Sequence, residues 1–219
     1  MAYAWMTEAL RIRAETDGGP LRGGAPRAVW LTLDSAAGEN AGENSARSAA
    51  GKLVGERRPC HLVWDPATGE IVQLVSVLRA ARALGVPERP DRSSHAPPPP
   101  PVNTEGRVCV QIGVLAHPAV PFTESPLTGI GSIVDWLDSW GVPRRWPGGQ
   151  PAATGTADRR SRTLWARGGH FGASQVPACE NTGPGDIDTY RLTGPHVVAV
   201  PARELTSTKA KAAAIPISA

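Results

Sequence analysis

Five consecutive prolines, Pro97 to Pro101, set the first limit on how this chain can fold. Proline has no amide donor and a fixed φ, so such a run stays extended and outside any central sheet. It is predicted to be a surface insert spanning residues 87–105, and the core has to come from the segments on either side. Punctuation is dense elsewhere too: 24 Gly and 22 Pro among 219 residues make long loops rather than long helices the rule. With 41% apolar residues, one ordinary globular core is expected.

The apolar runs fill in the rest. AVWLTL (28–33) and VCVQIGVLAHPAV (108–120) have the continuous apolar character of buried strands. CHLVWDPATGEIVQLVSV (60–77) alternates on both sides of a Pro- and Gly-bearing turn, which predicts a hairpin. A helix is expected over 45–54, with Ser45 as its N-cap, and a second over 125–140, started by Ser-Pro and stopped at Gly141. Residues 5–15 suit a short helix or an edge strand, residues 164–166 a short last strand, and residues 187–192 a helix with acids at its start. This alternation predicts an α/β domain, a mixed β-sheet flanked by helices with long Gly/Pro-rich loops. Its boundaries are drawn as an N-terminal extension (1–26), the domain (27–195) and a C-terminal tail (196–219).

Charge and cysteine content narrow the chemistry. The net charge of +3 is dispersed, without the clustered Lys and Arg that a phosphate backbone needs, so nucleic acid is not the expected partner. Arg144, Arg145 and Trp146 read as a structural corner. Cys60, Cys109 and Cys179 cannot all pair and show no CxxC spacing, so they are taken as reduced thiols. The N-terminal stretch lacks an apolar run of signal-peptide length, and no segment suits a membrane span. The expectation is cytoplasmic synthesis without an export signal and no membrane insertion. G-x-S-x-G, P-loop and G-x-G-x-x-G signatures are absent.

The richest stretch for chemistry is GGHFGASQVPACENTGPGDIDTY (168–190), which reads as a shaped surface loop leading into a helix. Its order GASQVPACENTGPGDID, together with HLVWDPATGEIVQLV from His61, resembles the type 2 N-acetylmuramoyl-L-alanine amidases related to peptidoglycan recognition proteins. The resemblance covers roughly residues 26–192. It implies a zinc site with three protein ligands and one open position, where metal-bound water becomes the nucleophile that cleaves the lactyl amide. Carried over, the strand-end ligand falls at Leu31, the loop ligand at Ala173 and the last ligand at Gly183, none of which can hold a metal. These three are expected to face one another across a groove completed by Asp34, His61, Trp64, His170, Ser174, Gln175 and Asp186. A different register uses His61, His170 and Cys179 as an active zinc set. His95 and His196 read as solvated and His117 as a strand-end cap.

Two functions follow from the resemblance. One is an amidase-fold protein without catalytic zinc, binding peptidoglycan fragments or serving as a structural subunit of a larger assembly such as a phage tail or virion. The alternative is an active zinc-dependent, endolysin-like amidase. A plain scaffold domain with no wall affinity is the third reading.

Overall fold

The computed structural model describes residues 2–34, 45–85, 101–117, 119–153 and 160–195. The polyproline prediction for residues 97–100, the readings of His95 and His196, and the C-terminal tail lie outside them. Pro101 is described: φ −58° and ψ 131° are polyproline-like, and its carbonyl accepts from the Thr104 amide at 3.0 Å.

Six strands form one mixed sheet: β1 (Leu10–Arg11), β2 (Arg27–Asp34), β3 (Leu62–Trp64), β4 (Ile71–Gln73), β5 (Cys109–Ala116) and β6 (Gly169–Gly172), in the order β1-β4-β3-β5-β2-β6. Only the β3–β4 hairpin is antiparallel. The eight-residue β2–β5 ladder, from Arg27 opposite Cys109 to Asp34 opposite Ala116, is its spine. Both strands are buried on both faces, as the unbroken apolar runs predict. The hairpin turn is held by Asp65, whose carboxylate accepts from the Ala67 amide (2.9 Å) and the Thr68 hydroxyl (2.7 Å). β1 resolves the choice left open for residues 5–15 as an edge strand. Residues 2–26 are docked on the sheet, with the Met6 amide donating to buried Gln73.

Strand alternation sends side chains to two separate cores. Ala28, Trp30, Leu62, Trp64, Val110, Ile112 and Val114 pack on one face beneath α2 (Ile130–Ser139) and Leu192 of α4 (Thr189–Thr193). On the other face Val63, Val72 and Leu74 meet Ala46 and Ala50 of α1 (Ala46–Gly55), capped by Ser45 as expected. Val29, Leu31 and Phe171 pack there with Trp165 of α3 (Arg162–Ala166).

Four local expectations need correction. Residues 164–166 are helical rather than a strand, because Ser161 caps the Leu164 amide. The long helix starts at Ile130, since Leu127 (φ 58°) and Gly129 (φ 85°) hold left-handed conformations that a helix cannot run through. β5 ends at Ala116, and the chain then turns, with the Val120 amide donating to the His117 carbonyl. Residues 168–190 do not form a surface loop throughout: Gly169–Gly172 is a buried strand pairing with β2, and burial continues through Pro177. The outer edge of β6 is covered by the Arg145 backbone, whose carbonyl accepts from the His170 amide at 2.8 Å. A β-carbon at Gly169 (φ 103°) would lie 2.6 Å from that carbonyl oxygen, so this strand edge requires glycine.

Candidate functional site

Three parallel strands end on the same side of the sheet, and the carboxyl ends of parallel strands are where α/β sheets open crevices. A groove of about 460 Å³ opens there, lined by Asp34 at the end of β2, His117 just past β5, Ala119, Pro121, Ala153 and the Pro184-Gly185-Asp186 turn. The segment after β6 builds its wall. The Ser174 amide donates to the Gly183 carbonyl at 2.8 Å, folding the segment back on itself. Arg160 Nε donates to the Ser174 carbonyl at 2.8 Å. Buried Gln175 accepts from the Gly172 amide (3.1 Å) and donates to the Gly149 carbonyl (3.1 Å), pinning the turn from both sides. Ser174 and Gln175, expected in the groove, are therefore its buried frame.

The register on β2 also needs correction. Gly183 lies against Thr32: a β-carbon on it would be 3.5 Å from Thr32 Oγ1. Thr32 shares its face with Trp30 and Asp34, whereas Leu31 points the other way, into the cluster with Val29, Trp165 and Phe171. Ala173 is fully buried in that same cluster. The strand residue facing Gly183 is thus Thr32, and Leu31 and Ala173 do not line the groove.

The histidines and the cysteine of the alternative site are also dispersed. His170 is fully buried in an aromatic row, 6.0 Å from Trp30 and 5.6 Å from Trp146 by ring centroids. Trp30 Nε1 donates to His170 Nδ1 at 3.1 Å. His170 Nε2 is buried without a hydrogen-bond partner among the described residues. Burial, assisted by the nearby Arg144 charge, pushes the His170 pKa down to about 3, so the ring is neutral. His61 is a structural pin: Nδ1 accepts from the Gln111 amide (3.0 Å) and Nε2 meets the Arg79 carbonyl (2.9 Å). Burial lowers its pKa to about 4. Cys179 donates its thiol to the Leu84 carbonyl in the Leu31 cluster, and burial raises its pKa. Three groups engaged in three separate places do not form one coordination sphere. Trp64, also expected in the groove, is fully buried and donates to the Thr128 carbonyl at 2.8 Å.

Asp34, Gly183 and Asp186 were placed at or beside the groove by sequence, and His117 was missed. His117 Nδ1 accepts from the Ala119 amide at 3.2 Å, which leaves the ring proton of the neutral form on Nε2. The signal for it is its place directly after a parallel strand. Gln150 donates to Asp186 Oδ1, fixing that carboxylate from one side. The Arg144-Trp146 corner is structural, as read: Arg144 pairs with Asp135 and Asp138, and Trp146 donates to Thr193. The three cysteines are free and buried. Among the described residues no helix is long and apolar enough to cross a membrane.

No family model matches the chain, and no curated protein matches it. Solved structures similar to it include a selenomethionine derivative of AmpD, at 17% identity and a TM-score of 0.46, with 86% of this chain and 94% of that one covered. The endolysine N-acetylmuramoyl-L-alanine amidase LysCS from Clostridium intestinale is similar at 12% identity and a TM-score of 0.43, over 87% and 95% of the two chains. The hydrolase AmiA from Staphylococcus aureus, in complex with its ligand, is similar at 9% identity and a TM-score of 0.41, over 77% of this chain and 66% of that one.

Proposed function

We propose that this chain is an amidase-type fold that binds peptidoglycan fragments in the groove at the strand ends and lacks the catalytic zinc. Its role is that of a wall-binding or structural component, for example of a phage particle. The observation that carries the reading is the fold-back of residues 172–186. The stretch that most resembles the amidases closes over the end of β2 through the Ser174 to Gly183 hydrogen bond and forms the groove wall. A hydrolytic zinc needs three converging nitrogen, sulfur or carboxylate donors and an open position. The residues here do not fit it: Gly183 offers no side chain, Thr32 offers only a hydroxyl, Leu31 and Ala173 turn into the core, and among the described residues no three His, Cys, Asp or Glu side chains, those of Asp34, His117 and Asp186 included, converge as a metal site. What the groove offers is recognition chemistry, with two carboxylates as acceptors, an imidazole N–H as donor and apolar Ala and Pro walls.

Incubation of the purified chain with insoluble peptidoglycan, with and without added zinc, tests this. The protein is expected to sediment with the wall material and to release no stem peptide in either condition. A protein that stays in the supernatant contradicts the binding reading. Zinc-dependent, chelator-sensitive release of stem peptide contradicts the loss of catalysis.

A further inference from the structure

We infer that the end of the sheet opposite the groove is a docking surface for a base-free phosphodiester polymer, a polyol phosphate. β2, β5 and β6 run parallel, with Arg27 opposite both Cys109 and Gly169, so their amino ends lie side by side. Arginines far apart in the sequence meet there. Arg107 comes just before β5, its amide donating to the Gly24 carbonyl at 3.0 Å, and the Arg22 amide donates to the nearby Thr104 carbonyl at 2.8 Å. Arg167 comes just before β6, and its carbonyl accepts from Arg145 Nη2 at 2.6 Å. Arg162 donates to Glu105. All five of these arginines are exposed.

The carboxylates beside them do not cancel this charge. Glu105 is shared: Arg162 holds one of its oxygens, and buried Arg27 lies 3.8 Å from the other, over the Trp165 ring. Arg27 Nε and Nη1 have no hydrogen-bond partner among the described residues. Asp135 and Asp138 are both held by Arg144. Seven arginines thus stand against three carboxylates. Residues 86–100 and 154–159, which adjoin Pro101 and Arg160 in sequence, each contain as many arginines as acids and add no net charge. The whole chain carries only +3, and the groove lining at the other end holds two aspartates and neither arginine nor lysine. Charge that is dispersed along the sequence is gathered at one end by the parallel topology.

A guanidinium presents a planar fork of donors that matches a phosphate. Guanidiniums set around three adjacent strand starts, roughly 10 Å across at about 4.8 Å per strand, suit charges repeated along a chain better than a single anion. Sequence-tolerant binding of a nucleic-acid strand uses exposed rings on which bases stack. Trp165 offers none, because it is buried beneath Arg27 and donates its indole N–H to Glu105 at 2.8 Å. The surface therefore complements a phosphate backbone without bases. This inference goes beyond the groove and does not depend on what the groove binds.

The probe is a fluorescently labelled oligo(glycerol phosphate), titrated with the full chain at several salt concentrations, beside an oligodeoxythymidylate with the same number of phosphates. Log affinity for the glycerol phosphate should fall linearly with log salt, with a slope of roughly 0.7 per phosphate contact. The Arg22 and Arg167 side chains are exposed and make no bond among the described residues, so Arg22→Gln with Arg167→Gln should melt as the parent does. That pair should lose about 1.4 of the slope, and the pair Arg22→Lys with Arg167→Lys should keep it. Arg47, exposed beside Glu70 at the start of α1, is the control, and Arg47→Gln should leave the slope unchanged. Absence of binding at low salt, an undiminished slope in the glutamine pair, or an equal loss in Arg47→Gln overturns the inference. Tighter binding of the oligodeoxythymidylate also overturns it and makes the surface a nucleic-acid site. Peptidoglycan stripped of phosphate polymers meets only the groove, so the wall-binding reading stands or falls separately.

Discussion

The two faces of β2 do opposite work with adjacent residues. Val29 and Leu31 enter a closed cluster with Phe171 and Trp165, where shape alone matters. Ala28, Trp30, Thr32 and Asp34 run along the other face from the aromatic row to the mouth of the groove. A shift of one residue in register exchanges the two roles completely, because side chains alternate with a period of two. A register carried over by resemblance can bring Gly183 and Asp186 to the groove and still put its strand position on the wrong face, as it did at Leu31.

The contrast is broken most sharply by paired substitutions. Leu31→Ala empties a buried site and should cost about 2–5 kcal/mol in a denaturant melt. Thr32→Val, of the same shape, replaces a buried hydroxyl oxygen that has no hydrogen-bond partner among the described residues. It should be neutral or stabilising by up to about 1 kcal/mol. If the two variants behave alike, the assignment of faces is wrong.

Acid should sharpen the same comparison through the histidines. His61 and His170 have folded-state pKa values of about 4 and about 3, below the ordinary 6.5. Their neutral burial therefore contributes stability that is complete above pH 6.5 and is lost as pH falls toward the folded values, because the unfolded chain takes up those protons first. Each histidine adds a slope of at most about 1.4 kcal/mol per pH unit in that window. Urea midpoints measured from pH 7 to 4.5 should fall, and His170→Gln should make the dependence shallower.

The legible parts of the fold are those with their own periodicity. The runs at 28–33 and 108–120, the Asp65 turn and the Ser45 cap each carry a local physical signal, and each produced its element, with β5 stopping short of its run at Ala116. β6 carries none. GHFG is a strand because β2 and the Arg145 backbone enclose it, and that enclosure is tertiary. The site divides in the same way: Asp34 and Asp186 follow from their motifs, while His117 became visible only when β5 was seen to end beside β2. His170, Ser174 and Gln175 belong to the most chemically suggestive stretch of the sequence, yet the fold uses them as packing and frame.

The most direct test fills the groove and leaves the fold alone. Ala119 is exposed on the groove wall, beside His117, and Ala119→Trp would occupy the space with an indole. The account predicts that this variant melts as the parent does and no longer sediments with insoluble peptidoglycan. An Ala119→Trp protein that still sediments as the parent does would show that the wall is not bound in this groove.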